Sequence, residues 1–254
     1  MRVDNWENFI KEKKALQKPS AITIGVFDGV HIGHQVLIEK IVKQGKNPTV
    51  ITFRENPKRS VFSIISLRQK LDIFENLGVL QTILIDFSEN FSTIRGQDFI
   101  DLLIECGNMT YLAIGSDFKC GNGLDMNSLL IKETYEKKGI EVEIIPPLSD
   151  GEFTISSSRI RKAISSGDLK SVNTWLGRNF VLDMLNIPFK IEEGFDPAFY
   201  KRLIPPDGEY SVLVYETAKK EGEKTKITIK EGKLIFPSTF NAFSVKSIEF
   251  LTCS

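Results

Sequence analysis

Ala21-Ile22-Thr23-Ile24-Gly25-Val26-Phe27 is apolar and β-branched on both of its alternating faces, as a strand covered from both sides must be. Residues 34–44 follow with apolar side chains at Val36, Leu37, Ile38, Ile41 and Val42, the spacing of an amphipathic helix laid on a sheet. Gly45 supplies a stop, and Thr49-Val50-Ile51-Thr52-Phe53 is a second buried strand. Together they make a βαβ unit of about 30 residues, the size of a right-handed parallel crossover. The alternation then repeats. It predicts helices over 66–76, 96–106 and 126–138, strands over 81–86, 110–115 and 141–145, and two short helices over 157–166 and 168–176. Five apolar strands separated by helices predict an α/β fold: a parallel sheet with helices on both faces. Such sheets bind ligands outside the carboxyl ends of their strands.

The character changes near Gly177-Arg178. Prolines cluster beyond it at Pro188, Pro197, Pro205, Pro206 and Pro237, and 209–216, 225–230, 233–236 and 244–251 read as short antiparallel strands. The expected division is a first domain over 1–180 and a small antiparallel β module over 181–254, at about 75 residues near the lower limit for independent stability. Composition excludes several partners. Lys plus Arg is 33 and Asp plus Glu is 33, so a net charge of zero offers no chain-wide attraction to nucleic acid or an anionic membrane. No apolar run reaches the roughly 18 residues a membrane helix needs. The first residues lack the apolar core of a secretory signal, and Asp4 and Glu7 argue against a presequence. Cys106, Cys120 and Cys253, an odd number without CxxC spacing, predict reduced thiols in a cytoplasmic protein. The residues leave the oligomeric state open.

The chemistry concentrates in Gly25-Val26-Phe27-Asp28-Gly29-Val30-His31-Ile32-Gly33-His34, which closes the first strand and opens the first helix. His31 and His34 are the only histidines in 254 residues. Gly25, Gly29 and Gly33 let backbone approach a ligand where a side chain would clash, and a helix N-terminus suits phosphate. Two imidazoles there can donate to phosphoryl oxygens and stabilise charge developing in a transition state. Only Asp28 stands near them as a third metal ligand, so the reading is of no protein-held metal. Asp28 also suits a turn or cap.

These residues resemble the HxGH signature of the adenylyltransferase domain of bacterial FAD synthetases, a Rossmann-like nucleotidyltransferase domain, and FDGVHxGHQ is close to diagnostic of that group. Three further stretches agree in order. Thr52-Phe53-Arg54-Glu55-Asn56-Pro57 resembles the TFxPHP loop. Gly115-Ser116-Asp117-Phe118-Lys119-Cys120-Gly121 resembles GxDFxFG. Ile155-Ser156-Ser157-Ser158-Arg159-Ile160-Arg161 resembles ISSTxIR, and Leu176-Gly177-Arg178 matches the end-of-domain LGR. The resemblance covers roughly residues 15–180. It implies that ATP and FMN give FAD and pyrophosphate, with Mg2+ held mainly through phosphates. By that resemblance His31, His34 and Arg161 are catalytic. Gly25, Phe27, Asp28, Gly29, Gly33, Gly115, Asp117, Ser156, Ser157 and Ser158 bind ATP, and Asn56, Pro57, Phe62 and Phe118 bind flavin. The partners implied are small nucleotides and flavins. The serines also suit N-capping, Arg161 a solvated helix face and Phe118 core packing.

The sequence departs from the pattern in places. Glu55-Asn56-Pro57 lacks the histidine of the second loop, and Asn56 hydrogen-bonds without carrying positive charge. Ser158 stands where threonine is usual and Cys120 where an aromatic is usual. Relatives carry a riboflavin kinase barrel after the first domain. Arg202-Leu203-Ile204-Pro205-Pro206-Asp207-Gly208-Glu209-Tyr210 resembles its LLPPxGVY strand, yet residues 178–254 contain no PTAN, and Asn186-Ile187-Pro188-Phe189 does not supply it. The expectation is a shortened, barrel-like remnant without kinase activity. A non-catalytic flavin or nucleotide binder, or a transferase for another phosphorylated acceptor, are the competing readings.

Overall fold

The computed structural model describes residues 1–12, 18–57, 61–185, 202–219, 221–237, 240 and 244–252. Asn186-Ile187-Pro188-Phe189, Pro197 and Cys253 lie outside the described residues. The chain forms two compact units, Met1–Arg59 with Lys70–Thr154, and Ser60–Gln69 with Ile155–Ser254. The division expected at residue 180 therefore falls within the second unit.

The elements of the first unit are, in chain order, β1 (Arg2–Asn5), α1 (Trp6–Glu12), β2 (Ser20–Ile24), α2 (Ile32–Val42), β3 (Asn47–Phe53), α3 (Leu67–Asn76, whose first turn groups with the second unit), β4 (Gln81–Ile85), α4 (Glu89–Ser92), α5 (Gly96–Gly107), β5 (Met109–Gly115), the two-residue strands β6 (Lys119–Cys120) and β7 (Met126–Asn127), α6 (Ser128–Glu136), β8 (Glu141–Ile145), and the two-residue strands β9 (Ser149–Asp150) and β10 (Phe153–Thr154). Six strands form one sheet in the order β1-β4-β3-β2-β5-β8, parallel at every pairing. All five expected apolar strands are present. The sixth, β1, was not expected, because Arg2-Val3-Asp4-Asn5 has a single apolar residue. It lies on an edge, beside β4, with Arg2 and Val3 exposed and Asp4 and Asn5 half-buried.

Strand periodicity splits the core into two layers. Ile22, Ile24, Ile51, Ile83, Ile85, Leu112, Ile114 and Val142 join one cluster with Trp6 and Phe9 of α1, Phe99, Ile100 and Leu103 of α5, and Ile131 and Tyr135 of α6. Leu37, Ile38 and Ile41 of α2 stand outside that cluster and are buried against β2, β3 and β5. The sheet thus has helices on both faces, as the unbroken burial of β2 and β4 requires.

The second unit contains α7 (Ser157–Ser166), α8 (Leu169–Leu176), β11 (Val181–Asp183), β12 (Gly208–Glu216), β13 (Glu223–Lys230), β14 (Lys233–Ile235) and β15 (Val245–Phe250). Its strands form an antiparallel sheet in the order β11-β15-β12-β13-β14. β11, which joins that sheet through β15, was not expected either. Ser66 Oγ donates to the buried Asp183, and Arg68 donates to the same carboxylate through Nε at 3.2 Å and an Nη at 2.7 Å. Among the described residues no helix is long and apolar enough to cross a membrane.

Candidate active site

The strand order fixes where a ligand crevice forms. The chain runs outward from β2 to β3 to β4, then returns to lay β5 on the other side of β2. β2 and β5 are neighbours whose connections leave in opposite directions, the switch point at which parallel sheets open at their carboxyl ends. β2 ends at Ile24 and β5 at Gly115. The Gly25–His34 segment and the Gly115–Gly121 segment therefore both begin at that point. Two stretches singled out from sequence, about 90 residues apart, are brought to one end of adjacent strands by the topology.

The first expected strand stops at Ile24, three residues early, because the chain turns sharply. Phe27 has φ 51, Gly29 φ 82 and Val30 φ 39, all in the left-handed region. Positive φ at Phe27 and Val30 costs on the order of 1–3 kcal/mol each and persists only where packing and hydrogen bonds over-determine it. Here they do. Gly25 N–H donates to Ile51 O at 3.1 Å. Val26 O accepts from Thr52 Oγ1 at 3.1 Å and from Lys70 Nζ at 2.9 Å, and Val30 O accepts from Gln35 Nε2 at 2.9 Å. The Phe27 side chain is fully buried, edge-on to Phe74 at 5.6 Å. Asp28 is likewise buried.

His31 is the N-cap of α2, with extended φ −69 and ψ 169, and its carbonyl accepts from His34 N at 2.8 Å and Gln35 N at 3.0 Å. The two imidazoles stack, with centroids 3.6 Å apart and planes 19° from parallel. His34 also sits edge-on to Phe27 at 5.1 Å. Burial, then the neighbouring His31, then the Lys70 ammonium hold the His34 imidazole well below its usual pKa, so it is neutral at pH 7. Its Nδ1 is buried and makes no hydrogen bond among the described residues. A Cβ on Gly33 would lie 3.2 Å from His31 Nδ1, so the glycine leaves room for the His31 ring.

In the Gly115–Gly121 loop Ser128 Oγ donates to Ser116 O at 2.8 Å and Phe118 N–H to Gly115 O at 3.0 Å. A Cβ on Gly115 would meet Asp117 Oδ1 at 3.0 Å. Phe118 and Cys120 are half-buried and lean on the core cluster. Burial, with Asp125 nearby, pushes the Cys120 thiol up to about 12, which removes it as a thiolate nucleophile near neutrality. Asn56 and Pro57 are half-buried and Glu55 exposed in the loop after β3. That loop is anchored by Arg54, whose N–H donates to Ile85 O and whose Nε donates to Asp86 at 2.9 Å.

The remaining candidates belong to the second unit. Ser156 is the N-cap of α7 and its hydroxyl accepts from Arg159 N–H at 3.3 Å. Ser157 is half-buried and Ser158 exposed in the first turn. Arg161 Nε donates to Phe62 O at 3.0 Å, so these two candidates touch, and Arg159 stacks over Trp175 at 4.1 Å.

Lys70 was not singled out from sequence, although its setting was readable. It occupies a position of the inward stripe of α3 one turn before Phe74, where an apolar residue is expected. It is buried, and that burial lowers its pKa to about 8 against the opposing pull of Asp28.

Known proteins resemble this chain over the same regions. The family model described as FAD synthetase matches residues 13–159. The bifunctional riboflavin kinase/FMN adenylyltransferase of Bacillus subtilis (strain 168) is 30% identical over 231 residues, 84% of this chain and 72% of that protein. The protein of the same description from Escherichia coli (strain K12) is 28% identical over 180 residues, 66% of this chain but only 58% of its own length. The FAD synthetase of Listeria monocytogenes is 25% identical over 203 residues, 76% of this chain and 80% of that one. Among solved structures, a macrolide-efflux protein from Streptococcus pneumoniae matches with a TM-score of 0.75 at 21% identity, over 98% of this chain and 90% of that one, a likeness of fold alone.

Proposed function

The chain belongs to the FAD synthetase family, and from that premise we propose that it transfers the adenylyl group of ATP to FMN. A phosphate oxygen of FMN attacks the α-phosphorus, a new P–O bond forms, the bond to the β-phosphate bridge breaks, and pyrophosphate leaves with the electron pair. The stacked His31 and His34 at the N-terminus of α2, at the sheet's switch point, carry this reading. The nucleophile is already ionised at neutral pH, so the residues have charge to stabilise and no proton to remove. A neutral His34 donates a hydrogen bond to a phosphoryl oxygen without the cost of burying a second cation beside Lys70. The helix N-terminus and the glycine turn supply N–H groups to the same anion.

Gly25, Gly29, Gly33, Gly115 and Asp117, with the backbone of Phe27 and Asp28, line the nucleotide end of the site in this reading. Asn56, Pro57, Phe62 and Phe118 keep the flavin role that the resemblance implies. Ser156, Ser157, Ser158 and Arg161 keep theirs, contacts to phosphate oxygens. Among the described residues no three His, Cys, Asp or Glu side chains gather as around an ion. In this reading magnesium would enter with the nucleotide, held mainly through phosphate oxygens, and would neutralise their charge. We further propose that residues 181–254 are a kinase remnant that does not phosphorylate riboflavin, supported by the lack of PTAN in residues 178–254. The reading includes a cytoplasmic location and, with a net charge of zero, no nucleic acid partner.

The test is incubation with ATP, magnesium and FMN, following FAD and pyrophosphate, beside His31→Ala and His34→Ala. Equal amounts of both products, lost in the variants, support the reading. Binding of both ligands without turnover replaces it with a non-catalytic binder. Pyrophosphate released only with another acceptor replaces the flavin.

A further inference from the structure

We propose that Lys70 is a positioning residue of the adenylyl-transfer site: its ammonium ties the chain beyond β2 to the end of β3, and so holds the histidine turn against the loop that carries Asn56 and Pro57. The inference rests on the function proposed above. Lys70 Nζ donates to Val26 O at 2.9 Å and to Phe53 O at 3.2 Å. Val26 lies just past the last residue of β2 and Phe53 is the last residue of β3, where strand carbonyls run out of ladder partners. A lysine carries three donors, and two of them here satisfy carbonyls of two different segments.

Geometry alone makes an unpaired amine on this stripe expensive, since a methionine would fill the same volume without desolvating a charge. Here the lysine is buried with those two carbonyls as partners and the buried Asp28 as its counter-charge. Lys70 also acts on the imidazoles. The titratable groups that bear on His34 are His31, from the same turn, and Lys70, from α3. Both disfavour its cationic form. One side chain thereby fixes where the histidine turn lies and, after burial and His31, adds to what disfavours the cationic form of His34.

The experiment uses the full chain, and the presence of only two histidines makes it clean: the imidazole Cε1 protons give two resonances to titrate by NMR. Lys70→Met removes charge and donors, Lys70→Gln removes the charge but keeps an amide donor, and Lys70→Arg keeps both. Whichever neutral variant folds must show His34 titrating at higher pH than in the unaltered protein, because a neighbouring cation is gone. Lys70→Arg must keep the low value. In Lys70→Met, kcat/KM for FAD formation must fall about 100-fold, the effect of moving a catalytic group by about 1 Å, and Lys70→Arg must recover part of it. A Lys70→Met protein with an unmoved His34 titration and a rate within threefold of the unaltered one overturns the proposal. A folded Lys70→Gln protein with an unmoved titration does the same. If the unaltered protein forms no FAD, the functional reading fails while the titration still decides what Lys70 does.

Discussion

Replacing Gly33 by alanine adds one methyl group at the second residue of α2, and it separates what this glycine does for stability from what it does for chemistry. Gly33 has no positive φ, so alanine fits its backbone, and helix propensity favours alanine by up to about 1 kcal/mol. The new Cβ falls 3.2 Å from His31 Nδ1 and 3.3 Å from Cε1, so the ring must yield by a few tenths of an ångström. It has little room, because His31 is only 6% exposed and stacks on His34 at 3.6 Å. The two stability effects are small and opposed, so the melting temperature should stay within about 4 °C. A displacement of roughly 1 Å costs about 100-fold in rate, so a shift of a few tenths, together with lost backbone access to the phosphate, should lower kcat/KM for FAD formation by about 10- to 100-fold. Thermal melts and a chromatographic FAD assay on the same preparation measure both. Activity within twofold of the unaltered protein would refute the idea that Gly33 is kept small for the His31 ring and the ligand.

Gly121→Ala should behave in the opposite way. Its φ is +86 and an added Cβ would sit 2.2 Å from Gly96 N, so destabilisation of about 2–3 kcal/mol is expected in urea titrations. Asp183→Ala leaves the Ser66 hydroxyl and Arg68 without their shared acceptor and should cost about 2–3 kcal/mol; a loss below 0.5 kcal/mol would contradict it. For Asp183, burial alone would raise the pKa, but hydrogen bonds from Arg68, Ser66 and Leu185 N–H hold it below its usual value. The unfolded chain therefore binds that proton first, and the stability supplied by Asp183 is lost as pH falls below about 3.9. The same sign holds for His34 in a higher window. Its folded pKa lies below that of the unfolded chain, so stability should fall as pH drops below about 6.5, and His34→Gln should flatten that slope in urea midpoints taken at pH 7.5 and 5.5.

The parallel sheet was legible because its central strands are apolar on both sides, a pattern that leaves few alternatives, and all five strands expected from it are present, the first ending early at Ile24. β1 was missed because none of its four residues is buried and its one apolar residue, Val3, is exposed, so it carries no apolar periodicity. β11 was missed because three residues, one of them the buried Asp183, carry too little periodicity to stand out. The two histidines were conspicuous by their scarcity, and the structure stacks them. What the sequence did not disclose is how the turn is held. Phe27 reads as the end of a strand but is driven to φ 51 and sealed under Phe74, a tertiary effect with no local signal. Lys70 hides as an ordinary charge on a helix until its two carbonyl partners, from segments 17 and 44 residues away, are seen. Ser156 illustrates the converse: the capping role that its position suggested is present in the hydrogen bond from Arg159.

Transfer of an adenylyl group to FMN at the His31–His34 turn is decided by a single-turnover experiment with excess protein over ATP labelled at the α-phosphate, in the presence of FMN and magnesium. The label should move into FAD, unlabelled pyrophosphate should appear in equal amount, and His34→Ala should slow the transfer at least 100-fold while ATP and FMN still bind. Label that stays in ATP or appears only as AMP, with both ligands bound, would contradict it.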